Sequence, residues 1–199
     1  PTATGSVVAA VVTKTPLGNT NPYETVELRD QRTGFGTAAA SSVFTVNRPV
    51  VENGDVLVAV VAREDDPTIT PPSGWLVGDT RAETTGNDMY TGVWYKVITN
   101  AGSEPATYNF TNDDTGAEEY SYWLGSFEGV DNADVFDVDP NWTNLQNTSS
   151  PSAPAINTTV NGAYAIASWY VIDDGAMDMP GGSWTTLAQD IEVANRLLS

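Results

Sequence analysis

The chain has 199 residues, with 8 Lys and Arg against 26 Asp and Glu for a formal charge of −18, and it contains neither Cys nor His. Those two zeros exclude disulfides, thiolate or imidazole metal sites and every Ser-His or Cys-His relay formed within the chain. The charge argues against nucleic acid as a partner, because phosphate backbones are bound by Lys and Arg.

At 40% apolar, with 17 Gly and 12 Pro, the composition is that of a strand-and-turn protein. It can bury one substantial core or two small ones beneath an acidic, solvated surface. No apolar run reaches the roughly 18 residues of a membrane span, so membrane insertion is not expected. The sequence opens on Pro1 without a basic segment ahead of an apolar stretch, which reads as a processed or truncated start.

In chain order, residues 1–40 read as an N-terminal arm or linker able to pair with a neighbour. The run 6–13 has strand character, 16–22 is a turn-rich loop, and 34–40 is small and flexible. A first strand and long loop of the same domain is the competing reading. From Ser42 the strand signals become regular, with apolar runs at 43–46, 56–62, 75–77, 89–98, 106–110, 120–127 and 163–172, and a last apolar pair at Leu197-Leu198. Turn residues separate them and no segment has a 3.6-residue apolar period, so 41–199 is expected to be an all-β antiparallel sandwich, jelly-roll-like in form.

The run 56–62 lacks polar alternation and implies a strand covered on both faces. Within 89–98, Lys96 falls on the same side as Trp94 and marks that side as outward. Within 120–127 both sides carry aromatics, which fits either double burial or a sheet with one face committed to a partner.

An internal repeat is visible. Asn53-Gly54 introduces an apolar strand followed by Pro71-Pro72-Ser73-Gly74-Trp75, and Asn161-Gly162 introduces another followed by Pro180-Gly181-Gly182-Ser183-Trp184. The two Asn-Gly pairs and the two tryptophans are separated by the same stretch of sequence to within one residue. A pseudo-repeat over about 43–98 and 153–199 follows. The sequence stops where the second copy should place its counterpart of 89–98, so either the polypeptide continues or another subunit completes the sheet. A short last strand ending the unit is the other reading.

The assembled motifs resemble a group of bacteriophage structural and bacterial extracellular β-sandwich surface domains. The residues that carry this are Gly54-Asp55 with the run 56–62, Pro71-Pro72-Ser73-Gly74-Trp75, Trp94-Tyr95-Lys96-Val97, Glu104-Pro105-Ala106-Thr107-Tyr108-Asn109-Phe110, the aromatic run 121–127 and Gly129-Val130-Asp131. The similarity spans about 43–138, with a looser echo to 190. It implies a sandwich fold and a virion-surface or extracellular setting, and it implies little about chemistry.

Two kinds of candidate site remain. Asp-rich loops can supply the six to eight oxygens that Ca²⁺ requires, with Asp131, Asp134 and Asp137 the best spaced. No segment matches a calcium-loop motif, and solvated acidic loops are the simpler reading, so no cofactor is required. Trp94, Tyr122, Trp123, Trp142, Trp169 and Tyr170 can be read as a sugar-stacking platform. Trp142, in what reads as a loop, is the one expected to be exposed; core filling is the simpler reading for the others. A glycosidase would need two carboxylates at fixed separation, which sequence cannot show.

The leading expectation is a non-enzymatic virion structural protein, a bacteriophage capsid decoration or appendage protein located on the virion surface or outside the cell. It would bind other assembly subunits and form a homo-oligomer. The alternative is a secreted or fibre-borne carbohydrate-binding module for cell-surface glycans, with Trp142, Trp94 and Trp123 as contacts.

Overall fold

In the computed structural model, residues 5–12, 25–38, 43–65, 68–83, 89–113, 116, 118–145, 154–160, 162–170, 185–188 and 191–197 are described. They form thirteen strands: β1 Gly5–Val12, β2 Glu27–Ala38, β3 Val43–Asn47, β4 Val56–Glu64, β5 Ile69–Thr70, β6 Leu76–Glu83, β7 Met89–Val97, β8 Thr107–Asn112, β9 Glu118–Glu128, β10 Phe136–Leu145, β11 Tyr164–Tyr170, β12 Thr185–Ala188 and β13 Ile191–Leu197. Every pairing is antiparallel. The protein is an all-β sandwich.

A central sheet runs β2-β9-β4-β7-β6. One face is covered by a flanking sheet, β10-β1-β11-β13-β12, and the other by a three-stranded sheet, β3-β8-β5. The uninterrupted apolar run of β4 is explained by this position, because residues from Val56 to Arg63 are all buried. Its even residues Val56, Val58, Val60 and Ala62 meet the flanking sheet beside Val93, Trp123, Phe127 and Ile166. Its odd residues Leu57, Ala59 and Val61 meet the three-stranded sheet beside Trp94, Phe110, Tyr122 and Leu124. Burying both faces of one strand removes the selection for polar alternation.

The second interface is built from rings. Trp75 lies edge-on to Tyr108 and Phe110 at 5.0 and 5.6 Å, Trp94 to Phe110 at 5.7 Å, and Phe44 stacks on Tyr120 at 4.7 Å. The side of β7 carrying Trp94 and Lys96 is therefore not outward as the lysine suggested; Trp94 is fully buried. The lysine is tolerated because it emerges at the rim, where its ammonium reaches Glu104.

Two glycines make room for the largest rings. A Cβ at Gly92 would overlap the indole of Trp94, and one at Gly125 that of Trp123. Each tryptophan lies back along its own strand over the missing side chain, as strand glycines permit.

The described parts of residues 1–40 are paired within these sheets. β1 is inserted between β10 and β11, and β2 runs beside β9. The stretch thus follows the competing reading of a strand within the domain. β2 is hard to see in sequence because it is an edge strand of mostly polar residues. β10 is masked by Pro140 and a run of Asp and Asn.

The repeat is present in three dimensions. Left-handed Gly54 (φ 93°) and Gly162 (φ 81°) lead into β4 and β11, each the middle strand of its sheet. The orders β4-β7-β6 and β11-β13-β12 match step for step. β13 fills the place of β7 and pairs with β11 from Tyr164↔Leu197 to Tyr170↔Ile191. Its apolar Ile191, Val193, Ala194 and Leu197 are interrupted by Glu192, Asn195 and Arg196 and form no long run.

Gly125→Ala is expected to lower unfolding free energy by about 1–3 kcal/mol, the usual cost of overpacking a filled core. Gly102→Ala, at an exposed position in the 3-10 turn Ala101–Ser103, should change it by less than about 0.5 kcal/mol. Urea unfolding followed by tryptophan fluorescence checks both.

Candidate functional site

The three proposed calcium ligands do not converge. Asp131 Oδ1 accepts a bond from the Ala133 amide at 2.9 Å and closes a turn with Asp134. Asp137, on β10, turns to residue 159, where its carboxylate accepts from the Thr159 amide at 2.7 Å and from the Thr159 hydroxyl. Among the described residues no three carboxylates form a group able to hold a metal ion. The acidic segment 173–178 lies outside the described residues.

The tryptophan platform is also not assembled. Trp94 and Trp123 are fully buried on opposite faces of the central sheet, with Trp123 Nε1 donating to Gln31 Oε1 at 2.8 Å. Trp142 is half-buried on β10 rather than exposed in a loop, and its indole N–H donates to Asp79 on β6. Together with Phe136, which lies edge-on to Tyr95 at 5.3 Å, it seals the side of the sandwich where β10 meets β6. The side chains of Trp169 and Tyr170 lie outside the described residues.

What the sequence motifs build instead is two ionic clasps. At one end of the central sheet, β2 bulges between Leu28 and Asp30. The Arg29 guanidinium there meets Asp55 through Nε–Oδ2 (2.8 Å) and Nη2–Oδ1 (3.2 Å), and meets Glu128 at 3.0 Å. Asp55 Oδ2 also accepts from the Glu52 amide at 2.8 Å, so the aspartate of the Gly-Asp pair ties a turn to an edge strand. Bonding to Asp55 raises the Arg29 pKa above its ordinary value. The neighbouring Asp30 is pushed up by burial but held below the usual range overall, by bonds from the Val50 amide and Arg32.

The second clasp joins β7 to β8. Glu104 Oε2 accepts from Lys96 Nζ and from the Tyr108 hydroxyl, both at 2.7 Å, and the ammonium lies 5.4 Å from the Tyr108 ring centre. Burial opposes the charge on Glu104, yet the two bonds keep its carboxyl below the ordinary range. Burial and the same carboxylate push the Tyr108 phenol far up. Tyr-Lys-Val and Glu-Pro-x-x-Tyr-x-Phe, separate motifs in sequence, are thus two halves of one contact. Only the three-dimensional pairing reveals Arg29 as the partner of Asp55, because 26 positions separate them.

The surface offers a different feature. Five large apolar side chains are exposed among the described residues: Phe35 (71%), Val43 (50%), Val50 (57%), Leu76 (53%) and Val77 (58%). Four of the five lie on strands at the end of a sheet, namely β2, β3 and β6. Sheet edges present unpaired backbone donors and acceptors, to which a further strand can add. Sequence reading missed them because it does not reveal which strands are edges.

Comparison with protein-family models, curated proteins and solved structures finds no match for this chain.

Glu104 contributes stability that is complete above the ordinary glutamate pKa of about 4.3 and is lost as pH falls through its depressed folded value. Glu104→Gln should therefore destabilise by about 1–3 kcal/mol at pH 7 and weaken the fall in stability below pH 5. Urea midpoints measured from pH 3 to 8 test this.

Proposed function

We propose that this chain is a non-enzymatic structural protein that works by associating with other subunits through its sheet edges. The setting proposed is the surface of a virion, as a bacteriophage capsid-decorating or appendage protein, and it rests on the motif resemblance alone. The observation that carries the associative role is the concentration of exposed apolar side chains on edge strands. The absence of catalysis is likewise part of the proposal. It is supported by the use of Asp55, Glu104, Asp79 and Asp137 in structural contacts.

Subunits of charge −18 repel one another, so an assembly held by apolar edges should tighten as salt screens that repulsion. Light scattering after gel filtration should show a defined oligomer at about 100 μM, a concentration that saturates a micromolar interface. Its fraction should rise as NaCl is increased. A monomer at every salt concentration overturns the proposal.

A glycan-binding role is a second reading, moved from the tryptophans to the outward face of the three-stranded sheet. Thr45, Asn47, Thr107, Asn109 and Thr111 are exposed there, with Thr45 Oγ1 and Asn109 Oδ1 at 3.1 Å. An uncharged array of hydroxyl and amide groups on so acidic a protein suits a neutral sugar. Glycan-array binding lost in Asn109→Lys is the expected outcome; silence of the array removes this reading.

A further inference from the structure

We infer that the outer edge of β2 is a homodimer site, where residues 32–38 pair antiparallel with the same segment of a second copy about a two-fold axis at Phe35. This rests on the self-association reading above and assigns its surface. β2 is the terminal strand of the central sheet, and on the side away from β9 no strand pairs with it among the described residues.

Its two halves differ. Near Arg29 the edge is guarded by the bulge, by the Arg29–Asp55 clasp and by the Val50 amide bonded to Asp30. From Gln31↔Gly125 to Ala38↔Glu118 the register with β9 is unbroken. That stretch, Gln31-Arg32-Thr33-Gly34-Phe35-Gly36-Thr37-Ala38, contains no acidic residue and no proline. Natural sheet edges are blunted by charge, proline or bulges, and none interrupts residues 33–38.

The occupant follows from the sequence of the edge itself. Thr33-Gly34-Phe35-Gly36-Thr37 reads the same in both directions. Antiparallel pairing about Phe35 therefore sets Thr33 opposite Thr37, Gly34 opposite Gly36 and Phe35 opposite its own copy. Such an isologous contact is self-complementary and closes after two subunits. One side of the segment is already occupied, because the rings of Tyr122 and Tyr120 lie over Gly34 and Gly36. Phe35 points to the other side and is 71% exposed. Opposed cross-strand residues bring Cβ atoms to about 4.5–5.5 Å, so the two phenyl rings cover each other. The charge pattern agrees: two chains of −18 meet along a segment whose one ionic side chain is Arg32.

The chain has no cysteine, so single substitutions report the register. Under mild oxidation Phe35→Cys should form a disulfide-linked dimer, whereas Thr33→Cys should stay monomeric on a non-reducing gel because its symmetry mate lies several residues away. Phe35→Glu should lose the dimer in light scattering at about 100 μM with an unchanged far-ultraviolet circular dichroism spectrum. If Phe35→Glu is misfolded, the two cysteine variants decide alone. Equal cross-linking of both, or none in either, overturns this register. An oligomer that persists in Phe35→Glu without cross-linking of Phe35→Cys overturns this edge but leaves self-association standing, with β6 as the next surface. A wild-type monomer overturns both.

Discussion

The structure depends on one constraint: the central sheet must be covered on both faces. A strand such as β4, apolar at consecutive positions, gains from burial only if two partner layers exist. The two layers solve the problem differently. The flanking sheet covers Val56, Val58 and Val60 with Val12, Ile166 and the ring of Tyr164, whereas the three-stranded sheet covers Leu57, Ala59 and Val61 mainly with the rings of Phe44, Tyr108 and Phe110. Wide rings let a sheet of only three short strands cover its share of the core. The central sheet's own tryptophans, Trp94 and Trp123, require the close approaches at Gly92 and Gly125, so glycines inside strands here are packing positions.

The same constraint gives the sequence motifs a structural meaning. Trp75 follows a turn with left-handed Gly74 and sets its indole against Tyr108 and Phe110. Tyr108 in turn shares Glu104 with Lys96. Pro-Pro-x-Gly-Trp, Tyr-Lys-Val and Glu-Pro-x-x-Tyr-x-Phe thus converge on the seam between the central and three-stranded sheets. A pattern of this kind identifies how a domain is closed, and its presence says little about what the domain binds.

Much of the fold was legible in the sequence because buried strands advertise themselves. The runs at 56–62, 89–98, 120–127 and 163–172 each correspond to a strand, and the Asn-Gly repeat correctly paired the surroundings of β4 and β11. Edge strands were not legible. β2 and β10 carry Arg, Asp, Asn and Gly because one side of each is open, and that composition is also what loops use. The site failed for a related reason. Trp94 and Trp123 belong to a core larger than two layers would need, and Asp131 and Asp137 answer nearby amides whose positions depend on the folded backbone. Phe35 gave no signal until β2 was known to be an edge.

The placement of β1 has a consequence for how the chain is made. Its partners are residues 136–145 and 164–170, so a ribosome must synthesise residues 13–135 before this strand can meet either of them. Its apolar sequence Val7-Val8-Ala9-Ala10-Val11-Val12 waits unsatisfied through that interval, the state in which nascent chains aggregate or recruit chaperones. This strand of the flanking sheet thus leaves the ribosome well before its neighbours and pairs late, and expression yield should be more sensitive to this segment than its contribution to final stability would suggest.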